Sequence, residues 1–228
     1  MASSALNELL AGLAEIRALQ RANPSPQQGS GLKRPEVVRA IGRSEIVLLS
    51  SHFEHFIYAL NEQAVTAVCE AAVLSSALPE PLKLQHSRYA IDVIFDTAWD
   101  RRGPALEQYS TNEAGLWSPH AAVTALDAAR LLTWMKTPSP RNLIRFFRIW
   151  GITDIFSEIT RKRVTYVALR LRLGELVDKR NNIAHGDFTA EATYSDIVQY
   201  VSAVKKFCTR ADARLGKQLG IIVGTAPW

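Results

Sequence analysis

Between Ile46 and Ala67 an apolar stripe runs through Ile46, Leu49, Phe53, Phe56, Ile57, Leu60, Ala64 and Ala67. Steps of three and four over more than twenty residues put all of them on one side of an α-helix and on no side of a strand. A helix of that length must bury its apolar stripe against other helices. Strict alternation of apolar and polar residues is scarce elsewhere in the 228-residue chain, so the spacing predicts an all-α fold. Apolar residues make up 47% of it, enough for a sizeable core.

The same periodicity marks the other elements. Leu6, Leu9, Leu10, Leu13, Ile16 and Leu19 predict an amphipathic helix over about residues 3–22. Asn7, Glu8 and Glu15 interrupt any apolar run there, unlike a signal peptide. Asn23-Pro24-Ser25-Pro26-Gln27-Gln28-Gly29-Ser30-Gly31 reads as a linker, so the first helix is expected as an arm beside the main body. The glycines in it lack the spacing of a phosphate loop. The long helix starts at Pro35 or Ser44 and reaches about Leu74. Pro79, Pro81, Pro104, Pro119 and Pro138 cut the middle into several short helices. Ser139-Pro140 predicts a helix start running to Gly151. A second long helix runs from near Arg161 to His185, ended by Gly186. The last starts around Thr193 to Asp196. The expected division is residues 1–34 as helix and linker, 35–220 as the helical domain, and 221–228 as a tail.

Charge and cysteine content bound the function. There are 27 basic and 22 acidic residues, a net +5 that suits an acidic partner such as RNA without requiring one. The two cysteines, Cys69 and Cys208, have neither disulfide-framework nor zinc-ligand spacing, which fits a reducing cytoplasm. No segment is apolar enough for a membrane span, so no membrane partner is expected.

The chemistry concentrates at Arg180-Asn181-Asn182-Ile183-Ala184-His185. Leu169, Leu173 and Leu176 share one helix face, and Arg180, Ile183 and Ala184 continue it. A guanidinium on an apolar stripe needs a partner or a task. Asn181 and His185 stand four apart on an adjacent face. Together they suit RNA cleavage: the imidazole moves a proton, the guanidinium stabilises phosphate charge, and the amide orients either. No metal or other cofactor is called for, because the ribose 2′-hydroxyl is an internal nucleophile. One histidine per chain supplies either the acid or the base, so a homodimer with one composite cleft is expected. The plainer alternative is Arg180 paired with Asp178 or Glu175 and His185 capping its helix.

An R-N-x-x-x-H motif at the end of a long helix, followed by a small residue, resembles the signature of the HEPN superfamily. From about residue 40 to 215 the chain resembles the RiboL-PSP type, with the helix containing Ser51 to Leu60 as the partner of the motif helix. The resemblance implies a HEPN helical bundle with two long helices and additional short ones. It implies a dimeric, metal-independent endoribonuclease, acting as a toxin or antiphage defence effector, with an antitoxin or another defence subunit as possible partner. The alternative it carries is an inactive HEPN module for dimerisation or protein binding. Arg180 and His185 match the catalytic pair and Asn181 the polar residue after the arginine. Glu54 and Asn182 are second-tier cleft residues. Asp187 stands where HEPN toxins silenced by nucleotidyltransferase antitoxins often have tyrosine, which puts that form of control in doubt.

Three other features invite functional readings. His52, Glu54 and His55 lack HExxH spacing and read as a polar helix face rather than a metal site or metal hydrolase. Arg141, Arg145 and Arg148, the group Arg161, Lys162 and Arg163, and the group Lys205, Lys206 and Arg210 read as solvated faces rather than an RNA track. Trp134, Trp150 and the other aromatics are expected to pack the core rather than stack on bases.

Overall fold

The computed structural model describes residues 1–22 and 35–228, so the linker read at 23–31 lies outside the described residues. Nine α-helices account for nearly all regular structure there: α1 (Ser4–Ala22), α2 (Pro35–Glu70), α3 (Glu80–Asp96), α4 (Arg102–Trp117), α5 (Ala128–Leu132), α6 (Pro140–Ile149), α7 (Ile155–Ile159), α8 (Arg163–Ala184) and α9 (Tyr194–Val223). The only β pairing among the described residues is an isolated bridge, Leu74 with Ala122. The all-α expectation holds.

The core forms where α1, α2, α8 and α9 pack together, with α6 and α7 closing one side. From α2 it takes Ile46, Leu49, Phe53, Phe56, Ile57, Leu60 and Ala64, the residues that defined the stripe. On α9, Ile197, Val201, Val204, Phe207, Ala211, Leu215 and Leu219 recur at three- and four-residue steps and are buried. Phe207 lies at the centre, 5.8 Å edge-on from Phe53, 6.1 Å from Phe147 and 5.2 Å from Phe156. Truncating a buried phenylalanine of this kind to alanine costs about 3–5 kcal/mol.

Local signals set the helix ends. The Ser139 side chain accepts from the Asn142 amide, with Pro140 in the first turn. Thr193 and Asp196 form a reciprocal capping box at the start of α9. The middle is less broken than its prolines suggest: α3 and α4 have 17 and 16 residues, because Pro81 and Pro104 both fall in first turns.

The first helix is not an arm. Leu6, Leu9, Leu13 and Ile16 of α1 are buried in the same core as α2 and α9. Ser3 caps α1 through the Leu6 amide at 3.0 Å, and its own amide donates to buried Asp212 of α9 at 3.4 Å. Gly12 allows the close approach, since a Cβ there would come within 2.5 Å of His52 Nδ1. At the other end α9 runs on to Val223 before Gly224, and Trp228 returns against Gly216.

Candidate active site

α8 carries the motif and delivers it to one end of the bundle. Leu169, Leu173, Leu176 and Val177 anchor the helix in the core. One turn on, Arg180 and Ile183 are half-buried, whereas Ala184, expected on the same stripe, is exposed. The helix stops with His185 as C-cap and Gly186 at φ +84°. The Asp187 amide bonds to Asn182 O at 3.0 Å and the Gly186 amide to Ile183 O at 3.1 Å. This is the Schellman closure, which favours glycine at the left-handed position.

Arg180 Nη1 donates to Asn181 Oδ1 at 3.3 Å, so these two side chains meet. Among the described residues Arg180 has no carboxylate at ion-pair distance. Glu175, one candidate partner, is bound instead by Arg172 at 2.7 Å. Asn182 and His185 are exposed, and no side-chain hydrogen bond reaches the His185 imidazole among the described residues. Within one chain the arginine and the amide are thus joined, and the imidazole shares no hydrogen bond with either among the described residues. Glu54 is half-buried on α2 beside Tyr58, whose phenol is pushed up by burial and by the Glu54 charge. No hydrogen bond or ion pair among the described residues joins Glu54 to Arg180 or His185.

The segment after the motif is gripped by residues the sequence reading missed. Arg43 of α2 donates to the carbonyls of Asp187 at 2.6 Å and Ala190 at 3.2 Å, and stacks over Phe188 at 5.8 Å. Arg39 pairs with Glu191 at 2.6 Å, and Lys179 donates to the Glu191 carbonyl. The Asp187 carboxylate accepts from the Thr189 hydroxyl at 2.7 Å and its amide at 2.8 Å, bonds that hold its pKa below the usual range. No pattern in the sequence links Arg39 or Arg43 to a loop almost 150 residues away. The result is a motif whose backbone is fixed while the His185 ring is left open among the described residues.

The other candidates sort differently. His52 and His55 bond to Glu15 at 3.3 Å and Glu8 at 3.1 Å, both on α1. Arg145 lies 4.0 Å over the Trp134 ring and donates to Gln85 Oε1; burial, Arg88 and Arg141 lower its pKa. Trp150 is fully buried as expected, but Trp99 and Phe95 are exposed, contrary to the expectation that the aromatics pack inside. A buried polar cluster unseen in the sequence joins α3, α4 and α5. Glu113 accepts from Arg130 at 2.6 Å, faces His86 Nδ1 at 3.0 Å and accepts from Ser87 at 3.2 Å.

Comparison with known families places a match on the second half of the chain. Residues 131–216 match the family model described as RiboL-PSP-HEPN. The matched segment runs from α5 into α9 and contains the whole motif, so this part of the chain is similar to the HEPN type, RiboL-PSP kind. The match begins after α2, which the sequence resemblance had included. No curated protein and no solved structure matches the chain. Among the described residues no helix is long and apolar enough to cross a membrane.

Proposed function

We propose that this chain, with its HEPN-type segment around Arg180 to His185, is an endoribonuclease that cuts RNA without a metal, by attack of the ribose 2′-hydroxyl. The observation that carries the reading is the contrast at the end of α8. Arg180 emerges from an apolar stripe with only an amide for partner, and the His185 imidazole beside it is exposed and unengaged among the described residues. A buried-edge guanidinium with no carboxylate retains its full charge for a phosphate.

In the reaction the 2′-oxygen bonds to phosphorus while the bond from phosphorus to the 5′-oxygen breaks. One imidazole takes the 2′-hydroxyl proton, and a second donates a proton to the leaving 5′-oxygen. Arg180 stabilises the phosphorane charge, and Asn181 holds the guanidinium in place. The products are a 2′,3′-cyclic phosphate and a 5′-hydroxyl. Two imidazoles require two chains. Val164, Val167 and Leu171 form an exposed apolar row on the same side of α8 as Asn182 and His185. Pairing two such rows in parallel, about a two-fold axis along α8, would bring two motifs to one cleft, with Asn182 at its rim.

The test is cleavage of single-stranded RNA in EDTA, with identification of the 2′,3′-cyclic end. Heterodimers of wild-type and His185→Ala chains test the shared cleft. Two separate sites would leave half the activity per dimer; one composite site leaves far less. The biological role proposed is a toxin or defence effector in the cytoplasm, held off by an antitoxin or another subunit of the system. Its induction should arrest growth, and induction of His185→Ala should not. The exposed row on α8 equally suits a HEPN module that only dimerises or holds a partner protein. Wild-type protein that dimerises and cleaves no RNA would establish that second reading.

A further inference from the structure

We propose that a groove between α7, the start of α8 and α9 binds the phosphate backbone of an RNA strand, as a site separate from the cleavage motif. Its space of about 580 Å³ is bordered by Arg161, Lys162, Lys206, Arg210, Arg214 and Lys217. The single carboxylate there, Glu158, is already bound by Arg214 at 2.6 Å. Arg210 donates to the Ile159 carbonyl at 3.0 Å, which fixes the guanidinium without neutralising it. Five cations therefore remain unpaired by any carboxylate of the groove. They repel one another in the free protein, and a polyanion turns that repulsion into attraction.

The shape selects the class of ligand. Lys206, Arg210, Arg214 and Lys217 recur on one face of α9 over twelve residues, about 16 Å. That is longer than one phosphate group and suits a row of them. Ile159 and Ala213 are the only apolar residues in its walls and neither is an aromatic anchor of the kind a peptide would seat against. A uniformly charged backbone fits such a surface better than an acidic protein does. The groove lies at the opposite end of α8 from His185, about 30 Å away along its 22 residues. At ~3.4 Å per stacked nucleotide, about nine nucleotides separate the two sites. The choice of RNA over other polyanions rests on the nuclease reading.

The test is equilibrium binding of a fluorescent single-stranded 20-mer RNA in EDTA, in a His185→Ala background. Adding Lys206→Glu and Lys217→Glu should weaken binding about tenfold or more and flatten the log-log salt slope by about 1.4, two phosphate contacts' worth. Adding Arg101→Glu and Lys136→Glu, the same charge change outside the groove, should cost less than about threefold. Thermal midpoints check that all variants fold. Equal losses in the two pairs, or no loss in the first, would overturn the proposal. So would polyglutamate binding as tightly as RNA. Failure of the nuclease reading shows separately, as wild-type protein that cleaves no RNA whether or not the groove binds it.

Discussion

Two histidines in this molecule sit beside arginines, and they are used in opposite ways. His86 is buried. Its Nε2 accepts from the Asp127 amide at 3.0 Å, and its Nδ1 faces Glu113, which also accepts from Arg130 and Ser87. Trp117 adds a bond to the Ser87 hydroxyl at 3.0 Å. Every polar atom of that imidazole is committed to holding α3, α4 and α5 together. His185 is exposed, its backbone fixed by the helix end and its ring unengaged among the described residues. Residue type does not separate the two. What separates them is which hydrogen-bonding capacity the fold has already consumed.

The comparison can be broken at either end. Removing the acceptor in Glu113→Ala leaves buried His86 Nδ1 and the Ser87 hydroxyl without one and Arg130 with only its Asp127 pair. It should cost about 3–5 kcal/mol in urea unfolding, as for other broken buried ion pairs. A wild-type unfolding curve would show that this cluster is not structural. Arg180→Ala should do the reverse: RNA cleavage falls about 10²–10³-fold, the loss typical of one transition-state donor, with no drop in melting temperature. A large drop in melting temperature would place Arg180 with the structural arginines instead. Gly186→Ala forces a side chain into the left-handed region at φ +84° and should cost about 1–2 kcal/mol, read by thermal melting.

The smallest effect concerns a third buried group. Glu45 on α2 is fully buried, and one carboxylate oxygen has no partner among the described residues. Burial raises its pKa from 4.5 to about 7. The folded chain therefore holds this proton more tightly than the unfolded chain. Its contribution to stability is present below about pH 4.5 and lost as pH rises to about 7. Glu45→Gln should flatten the fall in melting temperature across that window. An unchanged pH profile would show that Glu45 does not titrate there.

Much of the bundle was legible because its causes are local. Helix spacing located the stripes of α2, α8 and α9, and Ser139, Thr193 and Gly186 marked ends by side-chain or backbone chemistry within a few residues. What stayed hidden depends on distant neighbours. The stripe of α1 was visible, but its docking over Gly12 and His52 joins residues forty apart. Glu113 and His86 are 27 residues apart with no common period, so nothing local announces the cluster. The site falls between these cases. Helical arithmetic put Arg180, Asn181 and His185 in one wedge, and in the structure the first two share a hydrogen bond. It could not follow Ala184 and His185 to the surface, because the helix ends there and the periodicity ends with it.

The account turns on His185, so its most direct test is the rate of single-stranded RNA cleavage in EDTA by wild-type and His185→Ala protein at equal folded concentration. The prediction is cleavage by the wild type and a loss of about 10²–10⁴-fold in the variant, with identical thermal midpoints. Equal cleavage by both proteins, or none by the wild type, would contradict it.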